Sequence, residues 1–226
     1  DGQIVAEKYA DGFTQKTPLI GWSMTKSITG ALAGIILHDS NIDVNGPAPI
    51  DAWKDDDRQA ITIKNLLQQS TGLKFDEVYT RSSDANRMLF RQGDAGGYAM
   101  QLHLKYPPGS VFHYSSGNSN ILSRVMRDVL GDEGYYSFPY EQLFYRTGMY
   151  SAVLEPDAGG TFVGSSFCYA TARDWARFGL LYANDGVFNG EQVLPAGWVR
   201  ESIVPAAAAK QGEYGYQWWL YAGAKN

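Results

Sequence analysis

The sequence predicts an α+β fold in which a sheet-containing part is interrupted by a mostly helical one. Three observations carry this. Strand-like segments cluster toward the two ends of the chain, at residues 3–9, 162–170 and 214–221, whereas helical spacing dominates the middle. Residues 24–38 contain no proline and are apolar nearly all round, with Ile28, Leu32, Ile35 and Ile36, which predicts a helix buried at the centre. Of the 226 residues, 44% are hydrophobic and only 19% charged, enough apolar material for a sizeable core and too little charge for a disordered chain. The expected division puts residues 1–45 and 160–226 in the sheet-containing part and 46–159 in the helical part.

Taken in order, Asp1-Gly2 is a hairpin turn signal, so residues 3–9 read as the second strand of a hairpin. The buried helix 24–38 follows, and then a Gly/Pro loop at 45–49. Thr62 can cap a short helix through Gln69 that ends near Gly72. A helix is expected over 83–92, stopped by Gly93, and another over 119–130, stopped by Gly131. Between them Pro107-Pro108-Gly109 makes a turn, and residues 140–145 have helical character. After the strand at 162–170, Thr171 and Asp174 form a capping-box-like start for a helix through Ala183. Asn184-Asp185-Gly186 and Asn189-Gly190 are tight turns, and Pro195 suits the start of a helix to about Ser202. The aromatic segment 214–221 closes the series as a strand, with Trp218 and Trp219 facing opposite ways.

Several classes are disfavoured. The net charge is −5 with no basic stripe, so no nucleic-acid partner is expected. No segment is apolar for long enough to span a membrane, and the chain does not open on a leader-like segment. One cysteine, Cys168, read as core, allows no internal disulfide and leaves the compartment open. Three histidines and that cysteine are too few and scattered for a structural zinc site.

The strongest chemical signal is Ser23-Met24-Thr25-Lys26. A serine hydroxyl is a poor nucleophile until a base takes its proton. If Ser23 opens the buried helix, Lys26 lies one turn on along the same face. Burial and the positive helix N-terminus both disfavour its ammonium form, which leaves an amine able to act as base. The same helix start aims a backbone N–H at a developing oxyanion. The spacing alone equally describes a solvent-facing lysine on an amphipathic helix. The apolar run that follows is what argues otherwise.

A second signal is Tyr114-Ser115-Ser116, between the Pro-Pro-Gly turn and a helix. A phenol on such a loop can shuttle protons, and a nearby cationic lysine would make its phenolate easier to form. Among 15 tyrosines, an ordinary buried tyrosine bonded to backbone is the competing reading.

Together these segments resemble the serine β-lactamase and penicillin-binding-protein family. Residues 21–27 are similar to its Ser-x-x-Lys motif, and Tyr114-Ser115-Ser116 stands where class C β-lactamases and related esterases carry Tyr-x-Asn. Residues 66–73, 170–179 and 215–219 also fit, in the family's order, with the esterase and 6-aminohexanoate-oligomer hydrolase branch the most similar. The resemblance implies an antiparallel sheet flanked by helices plus a helical domain, with the active site between them. It implies acyl transfer through a Ser23 ester, Lys26 and Tyr114 as the proton-handling pair, and no metal or organic cofactor. The implied substrate is a small-molecule ester, amide or β-lactam.

Ser116, in place of asparagine, is expected to line the substrate site and to favour simple esters or linear amides over antibiotics. Glu77 and Tyr79 resemble a cleft-lining loop and are further substrate-binding candidates, although a solvated loop is the alternative. The family's later Lys-Thr-Gly or His-x-Gly strand is absent up to Asn226, and its first strand is missing too. The expectation is a chain trimmed at both ends and short of one oxyanion donor. His113 adjoins Tyr114 but has no carboxylate placed to orient it, so no Ser-His-Asp triad is built on it. A β-lactamase, a D-Ala-D-Ala peptidase, or a penicillin- or peptide-binding sensor without turnover are the alternatives to an ester or amide hydrolase. A structural fragment of an enzyme completed elsewhere is a further one.

Overall fold

The structure, a computed structural model, describes residues 2–221. A short strand β1 (Leu19–Ile20) leads into helix α1 (Met24–Asp39), whose residues from Thr25 to Leu37 are buried except Ser27. This is the expected central helix, and its burial follows from a sequence with no polar stripe wide enough to face water. The polar residues it does carry are spent internally. Thr29 Oγ1 donates to the Gly164 carbonyl at 2.7 Å, and Thr25 Oγ1 accepts from Cys168 N at 3.1 Å. Thr25, Lys26 and Thr29 thus bind α1 to the segment 164–168 and supply partners to buried backbone groups of Gly164, Ser165 and Cys168.

The middle of the chain is helical: α2 (Ile63–Leu67), α3 (Asp84–Arg91), α4 (Ala95–Met100) and α5 (Ser116–Tyr135). Thr62 and Asn65 form a reciprocal capping box on α2, and Ser83 caps α3 through Asn86 N. α4, begun by the Asp94 cap, was not expected; its Gly96-Gly97 pair weakens the helical signal. α5 continues past the expected stop at Gly131, but that residue has φ 70° and ψ 162°, so a sharp break does fall there and a second helical piece follows. A π-helical turn covers Tyr140–Phe144. α4 and α5 pack closely together, and α1 and α2 both lie on α5.

Strand β2 (Val153–Leu154) and strand β3 (Cys168–Ala170) complete a small antiparallel sheet in the order β1-β3-β2, with Leu19 opposite Ala170 and Leu154 opposite Cys168. Cys168 is fully buried, and burial pushes its thiol up to about 12. Helix α6 (Ala172–Ala183) is capped by the Thr171 hydroxyl, but Asp174 does not close a box. Its carboxylate accepts instead from Ser151 N and Oγ, at 2.9 and 2.6 Å. Strands β4 (Val187–Phe188) and β5 (Glu191–Gln192) form a hairpin over Asn189-Gly190, both at φ > 0 as a two-residue turn of this kind demands. Helix α7 (Trp198–Ser202) follows.

Three strand expectations are corrected. Residues 3–9 are an exposed chain with no ladder partner among the described residues; their anchor is Glu7, gripped by Arg173 at 2.7 and 3.0 Å. The turn expected at Asp1-Gly2 lies partly outside the described residues. Of 162–170, only the last three residues form a strand. Residues 214–219 form a tight turn, with Tyr214 bridged to Trp219, because Gln217 adopts φ 59° and turns the chain inward. Trp218 and Trp219 still face opposite ways. Trp218 stacks on Phe178, and Trp219 packs against Tyr114 and is about half exposed.

Candidate active site

The site forms where α1 begins. Gly21 donates its N–H to the Cys168 carbonyl at 2.7 Å, and a Cβ at Gly21 would collide with the Trp175 ring, so only glycine lets the chain pass here. Trp22 then takes φ 44°, a left-handed conformation that costs a non-glycine residue energy. That turn presents Ser23 to solvent at the head of α1, with Lys26 beneath it at 1% exposure. The N–H groups of Met24, Thr25 and Lys26 are taken by the carbonyls of Gly21, Trp22 and Ser23. None of the described hydrogen bonds uses the Ser23 N–H.

Lys26 Nζ reaches three oxygens: the Ser165 carbonyl at 3.0 Å, Ser116 Oγ at 3.1 Å and Ser23 Oγ at 3.4 Å. Burial lowers its pKa from 10.5 to about 8, against the opposing pull of the Glu77 charge. A fully buried ammonium is expensive, so the amine is reached at a lower pH than in water. The Tyr114 ring covers it, with Nζ 5.0 Å from the ring centre.

Tyr114 comes from the loop before α5 and is walled by aromatic side chains from the end of the described chain, with Tyr214 and Trp219 at 5.8 and 5.2 Å between ring centres. Its pKa is raised, chiefly by burial and also by the Glu77 charge, while the Ser23 and Trp219 side chains pull it down. The expectation that Lys26 would favour the phenolate is therefore reversed. Burial dominates, and a lysine that readily loses its own charge offers little to offset it.

Ser116, Glu77 and Tyr79 do meet around Lys26. Ser116 is fully buried under the site, at the first turn of α5. Glu77 accepts from Ser116 N through Oε2 at 2.8 Å and from Ser116 Oγ through Oε1 at 2.6 Å. Tyr79 donates to Glu77 Oε1 at 2.7 Å, lies 3.2 Å from Ser116 Oγ, and is half exposed. His113 is turned away, its Nε2 2.8 Å from the Phe75 carbonyl oxygen.

Sequence reasoning missed the frame behind these groups. Gln69, fully buried at φ 57°, accepts from Ser115 N and Asn118 Nδ2 and donates to Ser119 Oγ and Gln217 Oε1. Gln217 donates to the Leu66 and Leu67 carbonyls and accepts from Ser119 Oγ, and its own carbonyl accepts from Ser27 Oγ. Two glutamines thereby tie the loop after α2, the start of α5, the late turn and α1 into one unit. Polar residues within otherwise apolar stretches were the available signal. Among the described residues no group of three or more His, Cys, Asp or Glu is placed to hold a metal. Among those residues, too, no helix is long and apolar enough to cross a membrane.

A helical and antiparallel-sheet fold with a serine and a buried lysine one turn apart defines the class, and a model of the β-lactamase family matches residues 1–225; the chain belongs to that family. It is 25% identical over 246 residues to the 6-aminohexanoate-dimer hydrolase of Paenarthrobacter ureafaciens, an alignment covering 96% of this chain and 61% of that protein. The structure of a presumed 6-aminohexanoate-dimer hydrolase from Bacillus anthracis is similar at TM-score 0.80 and 25% identity, covering 97% of this chain and 63% of that one. A presumed β-lactamase from Bacteroides dorei shares the fold at TM-score 0.80 and 17% identity, covering 96% and 70%. The chain thus spans less than two thirds of the length of the curated relative.

Proposed function

We propose that this chain carries the nucleophilic centre of a serine hydrolase that cleaves carboxylic ester or linear amide bonds through an acyl-enzyme on Ser23. The observation that carries the reading is the buried Lys26 amine, its pKa lowered to about 8, in reach of an exposed Ser23 hydroxyl. In its neutral form Lys26 takes the Ser23 proton as the hydroxyl oxygen attacks the carbonyl carbon. The carbonyl π electrons move to oxygen, where the Ser23 N–H at the head of α1 stabilises the charge. As the carbonyl re-forms and the bond to the leaving group breaks, the proton held by Lys26 passes through Tyr114, which lies beside Ser23, to the leaving group; water then attacks the Ser23 ester, gives its proton back by the same route, and releases the acid with Ser23 restored. Lys26 and Tyr114 share proton traffic, so their titrations are coupled. Ser23 and Lys26 belong to the part assigned to residues 1–45 and 160–226. Glu77, Tyr79, Tyr114 and Ser116 belong to the part assigned to 46–159, and the reaction takes place between the two.

Linear amides or esters come ahead of β-lactams for two reasons. A serine hydroxyl has one donor and lacks the separate amide donor and carbonyl acceptor of the usual asparagine, and the Ser116 hydroxyl already donates to Glu77 and accepts from Lys26. The relative named for 6-aminohexanoate-dimer hydrolysis supports a linear amide. Treatment of the full-length protein with a serine-directed fluorophosphonate, followed by mass mapping, tests the nucleophile. Label on Ser23 is expected, and label on another serine with Ser23 untouched overturns the reading. Steady-state comparison of p-nitrophenyl esters, linear amides and cephalosporins tests the ranking.

A further inference from the structure

Glu77 was read from the sequence as a cleft-lining, substrate-contacting residue, yet both of its carboxylate oxygens face Ser116, one on the backbone N–H and one on the hydroxyl. We infer that Glu77 is a positioning residue which, by fixing the direction of the Ser116 hydroxyl, aims the Lys26 lone pair at Ser23; this rests on the Ser23–Lys26 reading above.

The argument is one of donor and acceptor counting. Ser116 has one O–H to give, and at 2.6 Å a carboxylate takes it. The hydroxyl oxygen then meets Lys26 only as an acceptor, at 3.1 Å. A neutral lysine amine has two N–H donors and one lone pair. The Ser165 carbonyl, at 3.0 Å, can only accept, so it takes one N–H, and Ser116 takes the other. The remaining contact of Nζ is Ser23 Oγ at 3.4 Å, and the lone pair is left facing it. Without Glu77 the Ser116 hydroxyl is free to turn and donate to Nζ, where it competes with Ser23 for that lone pair. Tyr79 reinforces the arrangement by donating to the same Glu77 oxygen.

The Glu77 charge also acts on Lys26, raising its pKa against the larger effect of burial. The groups facing the amine are the Ser165 carbonyl before β3, the Tyr114 ring, and Ser116 with Glu77 and Tyr79 behind it. Both tyrosines have raised pKa values and titrate on the alkaline side, so Lys26 governs the acid limb. Removing the Glu77 charge moves that limb to lower pH.

A plain structural role also exists for Glu77, since a carboxylate at the N-terminus of α5 stabilises that helix. Coupling to Ser116 separates the two roles: a charge that only stabilises the helix acts with or without the Ser116 hydroxyl, whereas the aiming of Lys26 is lost with it. kcat/KM for a p-nitrophenyl ester is measured from pH 5 to 10 on the full-length protein and on its Glu77→Gln, Glu77→Asp, Ser116→Ala, Glu77→Gln/Ser116→Ala and Ser23→Ala variants, with thermal unfolding as the check on folding. The expected result is about a ten- to hundredfold loss of kcat in Glu77→Gln, the size a misaimed group produces, with an acid limb displaced to lower pH. Glu77→Asp keeps the wild-type limb, and the double variant is no slower than Ser116→Ala. A folded Glu77→Gln with the wild-type limb and unchanged kcat, alongside an inactive Ser23→Ala, overturns the positioning role and leaves the nucleophile standing. An active Ser23→Ala overturns both.

Discussion

The two ends of α1 make opposite use of their polar side chains. At the start, Lys26 is fully buried and hydrogen-bonded to three oxygens, and its pKa is moved by burial. At the finish, His38 and Asp39 pair in the open, 69% and 58% exposed, beside a groove of about 970 Å³ whose walls include Asp43, Lys64, Arg200 and Glu201. Charges in water interact weakly, whereas a charge forced out of water has its proton affinity rewritten. Room for a ligand is thus at one end of the helix, and altered chemistry at the other. The comparison sets open volume at one end of the helix against a proton affinity altered by burial at the other, the end where the proposed chemistry lies.

The sharpest way to break that comparison is to remove one group at each end. Ser23→Ala is expected to lower kcat/KM for a p-nitrophenyl ester by about 10⁴- to 10⁶-fold, as loss of a nucleophile does in serine hydrolases. Lys64→Ala, in the groove, is expected to stay within about twofold, as surface substitutions ordinarily do. Steady-state kinetics on both decides it, and comparable losses at the two ends would put the chemistry in the groove after all.

Next in size is Tyr114→Phe, which deletes only the hydroxyl and is expected to slow the chemical step by about a hundredfold. Because burial raises the Tyr114 pKa, the phenol is protonated at neutral pH, which suits the proposed role of proton relay better than that of a standing phenolate base. The rise of kcat/KM with pH is then set by Lys26, which is inactive as the ammonium and active as the amine, so activity climbs through about pH 8. Single-turnover rates across that range check both points. An unchanged rate in Tyr114→Phe would leave this residue a packing group.

These effects concern residues whose spacing could be read from the chain. Ser23 and Lys26 were legible because helical geometry is local: three residues along a helix is one turn, and an apolar run predicts burial of whatever lies in it. Tyr114 was legible as a position but not in its electrostatics, which depend on Tyr214, Trp219 and Glu77 arriving from elsewhere. The strand at 214–221 was misread because alternating aromatic residues mimic a half-buried strand, while the left-handed turn at Gln217 is imposed by partners about 150 positions away. α4 was hidden by its glycines, and its capping Asp94 was the signal passed over.

Gln217 supplies the third test, on the frame rather than the chemistry. Gln217→Ala removes donors to the Leu66 and Leu67 carbonyls and an acceptor for Ser119, all inside the core. Buried partners left unsatisfied cost about 1–3 kcal/mol each, so a loss of roughly 2–4 kcal/mol in unfolding free energy is expected. Denaturant melts followed by circular dichroism measure it. A loss below about 0.5 kcal/mol would mean the neighbouring loops hold themselves in place.

The smallest expected effect has the opposite sign. Lys26 pays for its suppressed charge with stability: a pKa lowered from 10.5 to about 8 corresponds to roughly 3 kcal/mol of penalty at pH 7. The sign follows from proton counting. Below about pH 8 the lysine is protonated in both the folded and unfolded states, and the penalty is fully present. Between about 8 and 10.5 the unfolded chain holds the proton and the folded one does not, so stability rises with pH across that window. Lys26→Met keeps the shape and removes the charge. It forfeits hydrogen bonds to Ser116 and the Ser165 carbonyl, about 1 kcal/mol each. The variant should therefore be inactive yet about 1 kcal/mol more stable than the parent at pH 7, with the advantage gone by about pH 9 and reversed, by about 1–2 kcal/mol, at pH 10. Equilibrium melts of both proteins at pH 7 and 10 measure the difference. A variant several kcal/mol less stable at pH 7 would mean that Lys26 is a structural cation, and the contrast between the two ends of α1 would lose its chemical meaning.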